Sequence, residues 1–140
     1  MSIDELIDSF ESCKLTAYWD ALGKRWTIGW GHTGKDVYEG LVWTQAQADE
    51  AREHDIIAAD ALISVYSPGL TGPPLDAITD FVFNIGIGNY RTSTLCKLVN
   101  ANAWSAVKLE LLKWDHDNGV VVPGLLRRRQ AEADLIPVAA

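Results

Sequence analysis

In the first ten residues Ile3, Leu6, Ile7 and Phe10 recur at helical spacing, with Asp4, Glu5 and Asp8 between them. This is the pattern of an amphipathic helix. Ser2 followed by Glu5 is a capping box at its start, and the helix is expected to end between Glu11 and Lys14. The period then changes. Trp26-Thr27-Ile28-Gly29-Trp30-Gly31 alternates large and small residues, a repeat of two that predicts a strand. Trp26, Ile28 and Trp30 should be buried on one face. Thr27, Gly29 and Gly31 leave room on the other for something to lie close to the backbone. Gly23 marks a turn before the strand, so Asp20 opens a hairpin.

Thr44 and Gln47 form a second capping box, from which a helix should run to about Tyr66. Its inward stripe is read as Ala51, His54, Ala58, Ala61, Leu62 and Val65, with acids on the solvated side. Pro68, Gly69, Gly72, Pro73 and Pro74 break the chain. A helix from about Pro74 to Ile85 should turn Leu75, Ile78, Phe81 and Val82 inward and end at Gly86 and Gly88. A short helix is expected over residues 92–100, opened by Thr92 or Ser93. Another, capped by Asn102, should reach about Trp114 with Ala106, Val107, Leu109 and Leu112 apolar. Asn118 and Gly119 form a turn, and Pro123 opens a last helix to about Leu135. The expected fold is α+β and mainly α. A small hairpin-containing N-terminal lobe (about 12–43) is joined by a long helix (about 44–66) to a helical C-terminal lobe (about 67–140), on which the first helix packs.

Composition narrows the function. The 140 residues are 48% apolar and 22% charged, ordinary for a globular chain. The net charge of −7 argues against a nucleic-acid partner, which requires clustered Lys and Arg. It offers no attraction to an anionic wall or membrane either. Cys13 and Cys96 lie far apart, which suits two reduced thiols better than a disulfide framework. The acidic start resembles no signal peptide or signal anchor, and no apolar run is long enough to span a bilayer.

Among the acids, Glu11 and Asp20 flank the change of period. Glycoside hydrolysis needs one group to protonate the leaving oxygen and a second carboxylate across the sugar, which in an inverting enzyme activates water. Glu11 falls at the C-terminal end of the first helix, where the helix dipole disfavours a carboxylate charge and suits the group to donate a proton. Asp20, in a polar turn, should stay ionised. Thr27, on the small-residue face, could hold the water. On spacing alone a Glu and an Asp beside a turn are more often a helix-end and a turn residue.

The wider string is more specific. Phe10-Glu11-Ser12-Cys13-Lys14-Leu15-Thr16-Ala17-Tyr18-Trp19-Asp20, followed by Trp26-Thr27-Ile28-Gly29-Trp30-Gly31-His32-Thr33-Gly34, closely resembles the phage-type lysozymes, or endolysins, of glycoside hydrolase family 24. The likeness continues through Thr44-Gln45-Ala46-Gln47-Ala48, Asp76-Ala77, Phe83-Asn84-Ile85-Gly86, Ser93-Thr94-Leu95, Trp114 and Pro123-Gly124-Leu125-Leu126-Arg127-Arg128-Arg129. It implies hydrolysis of the β-1,4 bond between N-acetylmuramic acid and N-acetylglucosamine in bacterial peptidoglycan, with Glu11 as general acid, Asp20 as the carboxylate on the water and Thr27 as its helper. It implies no cofactor and no metal. It also implies a cleft between the lobes, lined by Thr33 on one side and by Phe83, Asn84 and Thr94 on the other. A role in lysis of the host cell would place the chain, as a monomer, in the host cytoplasm until a separate membrane-permeabilising protein gives it access to the wall.

The sequence departs from the family in one place: six residues, not five, separate Asp20 from Thr27. A slip of one residue in a strand reverses its faces, so the extra residue should be absorbed in the turn as a bulge. His32 is expected to pair with an acid between the lobes rather than act as a base. His54 and His116 have acidic neighbours but no metal-binding spacing. Cys13 is expected to pack, and Arg127, Arg128 and Arg129 to pair or be solvated. The rival readings are a lytic transglycosylase on the same fold, a silent peptidoglycan-binding module, and an amidase or endopeptidase. Asp20 disfavours the first, the complete trio the second, and the lack of a metal or Cys/His constellation the third.

Overall fold

The computed structural model describes residues 1–117 and 119–137. In chain order the elements are α1 (Ile3–Phe10), β1 (Lys14–Asp20), β2 (Arg25–Gly29), β3 (His32–Thr33), α2 (Gln45–Tyr66), α3 (Gly72–Ile85), α4 (Ile87–Arg91), α5 (Thr94–Asn100), α6 (Trp104–Leu111), β4 (His116–Asp117), β5 (Val120–Val121) and α7 (Pro123–Asp134). The fold is α+β and mainly α. No helix among the described residues is long and apolar enough to cross a membrane. The chain divides into two compact units, Ile7–Ala58 and Met1–Leu6 with everything from Ala59 onward. The division falls inside α1 and α2.

The unit Ile7–Ala58 carries an antiparallel sheet in the order β1-β2-β3. Tyr18 pairs with Thr27, Trp19 with Trp26 and Asp20 with Arg25, and across the next interface Thr27 pairs with Thr33. The outer edge of β1 is covered by residues 41–43, where the amide of Ala17 donates to the Leu41 carbonyl at 2.9 Å and that of Trp43 to Leu15 at 2.8 Å. Ala17, Ile28 and Val37 form a small core, with Trp26, Leu41 and Trp43 against it.

The predicted strand stops early. Gly29 (φ +66°) and Gly31 (φ +92°) turn the chain at a conformation that favours glycine, and β3 follows at once. Trp30 therefore leaves the face of Trp26 and Ile28. Its Nε1 donates to Asp49 on α2 at 2.8 Å, and the Arg52 guanidinium lies 5.3 Å from its ring centre.

The long helix opens on its predicted capping box. The Gln47 amide donates to Thr44 Oγ1 at 3.2 Å, and the Thr44 amide to Gln47 Oε1 at 2.8 Å. Its predicted inward stripe is wrong. Ala48, Ile56, Ala59 and Ile63 are the buried positions, while His54, Ala58, Ala61, Leu62 and Val65 are exposed. The true inner face carries Asp49, Arg52 and Asp55, whose charges are met by Trp30, Asp8 and His32. Polar residues with partners broke the apolar period.

In the other unit Ile63, Ile78, Phe81, Tyr90, Leu95, Val107 and Leu111 make a core of fully buried side chains. Gly72 to Ile85 is helical two residues earlier than expected, with Thr71 at the N-cap. Ser93 caps α5 by accepting from the Cys96 amide at 3.0 Å, and α4 precedes it as a separate helix. Asn102 caps nothing: Ala103 is the N-cap of α6, and Asn102 turns the chain with φ +56°, a conformation Asn tolerates. A two-strand ribbon, β4 with β5, was not expected; of the predicted turn residues Asn118 lies outside the described residues. Pro123 opens α7 as predicted.

Of the three arginines only Arg127 is exposed. Arg128 holds Asp80 through two bonds, Nε to Oδ2 at 2.9 Å and Nη2 to Oδ1 at 2.8 Å. Arg129 pairs with Glu132 at 2.7 Å and lies 5.0 Å from the Phe81 ring centre. These two are core residues rather than solvated ones. Burial opposes ionisation of Asp80, but its contacts with Glu132 and Arg128 outweigh that and hold its carboxyl below the usual range. Burial first, then the bond to Asp80, pushes Glu132 well above it.

Candidate active site

Glu11 follows α1 directly, its amide still donating to the Ile7 carbonyl at 2.8 Å. Its half-buried carboxylate lies over Gly31: a β carbon there would stand 3.2 Å from Oε2. The space expected above the small-residue face is thus taken by the protein itself. At Gly29 the Trp43 ring fills it, 3.1 Å from where a β carbon would lie.

Asp20 ends β1 and closes the ladder opposite Arg25. Its Oδ1 accepts the Leu22 amide at 3.1 Å, an Asx turn. A β carbon at Gly23 would come within 2.7 Å of Oδ2, so the turn wraps tightly around this carboxylate. Residues 21–24 carry the six-residue spacing, with Lys24 at φ +53°. The ladder beside them is regular from Asp20 to Tyr18, and its irregularity lies at the other end, between Lys14 and Tyr18. The turn takes up the extra length without a bulge beside Thr27.

Residues directly opposite in an antiparallel ladder share a face, and so do residues two apart on one strand. Tyr18, Asp20, Thr27 and Thr33 therefore lie on one face of the sheet. Trp19 and Trp26 occupy the reverse side, edge to face with ring centres 5.7 Å apart. Thr27 is buried, 3% exposed, and its hydroxyl donates to the Arg25 carbonyl at 3.4 Å. Its remaining capacity is as an acceptor.

The sequence alone singled out no role for Tyr18, which stands there only within the string that ends at Asp20. Burial first, then the negative charges of Glu11 and Asp20, pushes its phenol above 10.0. Both carboxylates thus act on one hydroxyl. The parity between residues 18 and 20 was the signal that could have found it.

His32 bridges two acids, Nδ1 with Asp55 Oδ2 at 2.8 Å and Nε2 with Asp36 Oδ2 at 2.9 Å. Both lie in the same unit as His32, so the expected pairing holds but not its expected place between lobes. The bond to Asp55 is the largest cause raising its pKa to about 9, against the opposing effect of burial.

Phe83, Asn84 and Thr94 belong to the helical unit. Phe83 is half-buried and outside the core cluster, where Phe81 stands instead. Asn84 Oδ1 accepts from Arg129 Nη2 at 2.8 Å. Thr94 is the exposed first residue of α5. A cavity of about 510 Å³ in the same unit, lined by Ser67, Leu70, Thr71, Asn100 and Trp104 among others, holds none of the predicted site residues. No group of three or more His, Cys, Asp or Glu able to hold a metal occurs among the described residues.

A hairpin sheet with two carboxylates at its edge, followed by a long helix and a helical unit, is the lysozyme-like fold. The muramidase domain of SpmX from Asticaccaulis excentricus superposes with a TM-score of 0.86 at 30% identity, over 98% of this chain and 95% of that domain. The chain belongs to the phage lysozyme family, whose profile matches residues 8–132. It is 40% identical over 139 residues to an endolysin of Acyrthosiphon pisum secondary endosymbiont phage 1, covering 96% of this chain and 94% of that protein. It is 32% identical over 129 residues to a SAR-endolysin of bacteriophage PS119, covering 91% of this chain and 77% of the relative. The protein is a peptidoglycan hydrolase of the endolysin type.

Proposed function

We propose that the protein is a muramidase cleaving the β-1,4 bond between N-acetylmuramic acid and N-acetylglucosamine, with inversion. Glu11 gives its proton to the glycosidic oxygen as that oxygen leaves the anomeric carbon. Water bonds to the carbon from the opposite side and passes a proton to Asp20. Thr27, its own proton directed at Arg25, accepts the water's second hydrogen. Thr33, Phe83, Asn84 and Thr94 bind the glycan strand.

The observation that supports this reading best is geometric: Asp20 lies on the sheet face that carries Thr27, and the Glu11 carboxylate sits over Gly31 in the turn that joins β2 to β3. This supports a pair of carboxylates that serve one sugar linkage. Mass spectrometry of digested wall tests the proposal. Reducing muramic ends are expected from the protein, and about 10²–10⁴-fold fewer from Glu11→Gln. Anhydro-muramic ends would replace hydrolysis with lytic transglycosylation, and cut peptides would end the glycosidase reading.

A further inference from the structure

Tyr18 lies on the sheet face of the proposed site, and its hydroxyl has no described partner. Its residue is 38% exposed, it is cross-strand neighbour to Thr27, and it lies two residues from Asp20 on the same face. None of the described residues accepts its proton. Burial, and after it the two carboxylates, keeps that proton on the phenol, so it is available as a neutral donor.

We infer that Tyr18 positions the attacking water, by donating a hydrogen bond to it while Asp20 and Thr27 accept the water's two hydrogens. The inference rests on the hydrolytic reading given above. Water has two protons and two lone pairs in tetrahedral array. The Asp20 carboxylate is acceptor-only when ionised, and the Thr27 hydroxyl has spent its proton on Arg25, so these two take the protons. One lone pair must attack the anomeric carbon. The other requires a donor. Thr33 also flanks Thr27 on that face, but of the two only Tyr18 shares a strand with Asp20, two residues from it, so its hydroxyl is the donor beside both acceptors. With three of four directions fixed, the remaining lone pair is held in line. As the new carbon–oxygen bond forms, one proton passes to Asp20, and Tyr18 returns unchanged.

Tyr18→Phe keeps the ring and removes only the hydroxyl. On a soluble peptidoglycan oligosaccharide kcat should fall roughly 10- to 100-fold with KM unchanged, as expected when a reacting group is misplaced rather than lost. A water site with one contact missing should also admit a competitor. In dilute methanol the ratio of methyl glycoside to free sugar should rise above that of the wild type, whereas general loosening of the fold would lower both products together. The melting temperature checks that the fold is intact. A kcat within twofold of wild type, an unchanged methanol ratio, or a rise in KM alone would each overturn the inference, the last by making Tyr18 a sugar contact. Glu11→Gln run beside it separates the two claims: its retained activity would remove the hydrolytic reading itself, and the role of Tyr18 with it.

Discussion

The carboxylate of Glu11 occupies the place where a side chain on Gly31 would begin, 3.2 Å from Oε2 and 3.4 Å from the carboxyl carbon. Gly31 also adopts φ +92°. A single missing β carbon therefore serves both the turn into β3 and the seat of the proposed acid. Gly31→Ala should cost ~1–2 kcal/mol through the backbone alone. It should also displace Glu11 and reduce kcat by about 10²-fold, as small misplacements do. Thermal melting and wall-clearing rates measured on the same variant check both effects. A stable variant with wild-type rates would show that the carboxylate's seat is unimportant.

Glu11→Gln should lower kcat by about 10²–10⁴-fold, the range for loss of a general acid, with melting little changed. Asp20→Asn should be similarly impaired if water is the nucleophile. Near-normal turnover in Asp20→Asn would point to the transglycosylase chemistry that needs only the acid.

Thr27→Ser keeps the hydroxyl and should retain most activity. Thr27→Val fills the same buried volume without it and should lose roughly 10²-fold, comparable to deleting one preorganised polar contact. Equal rates in the two variants would remove Thr27 from the water site.

The pair of acids on His32 predicts a pH dependence of stability. The folded pKa, about 9, lies above the ordinary 6.5, so the folded state binds the proton more tightly. This contribution is fully present below about pH 6.5 and is lost as pH rises through about 9. Asp36, lowered first by its bond to His32, works the other way and loses its share in acid. The melting temperature of His32→Asn should lie furthest below wild type between about pH 5 and 6.5, and the gap should close by pH 10. A constant gap from pH 5 to 10 would contradict the linkage.

Removing one partner of the Asp80–Arg128 pair, as in Asp80→Ala, should destabilise by about 3–5 kcal/mol, because it strands a buried charge. Asp80→Leu with Arg128→Met should recover most of that loss. Denaturant melts of the two variants decide it; equal losses would mean the pair does not act as a unit.

Much of the fold was legible in the sequence because short-range signals decided it. The capping boxes at Ser2 and Thr44, the proline that opens α7 and the Trp26–Ile28 alternation each depend on neighbours within a few positions. What escaped depends on partners far along the chain. The inner face of α2 could not be read without knowing that Trp30 would take Asp49 and His32 would take Asp55. Pairing was expected for Arg128 and Arg129, but their burial was not readable before Asp80 and Glu132 were matched to them. For the proposed site, resemblance pointed to Glu11, Asp20 and Thr27, and strand parity points to Tyr18. The seat of Glu11 on Gly31 was not readable, because a glycine in a strand pattern does not announce what approaches it.

The turn over residues 21–24 has one further consequence. Because Asp20 and Arg25 close the ladder before it begins, length variation there leaves the phase of β2 untouched, provided the Leu22 amide still reaches its carboxylate. An insertion within residues 25–27 would instead present Trp26 where Thr27 now stands, and a deletion would present Ile28. The hairpin tip is therefore the natural place to graft a loop or adjust length beside the proposed reaction centre, and the start of β2 is where a single indel would turn Thr27 away from it.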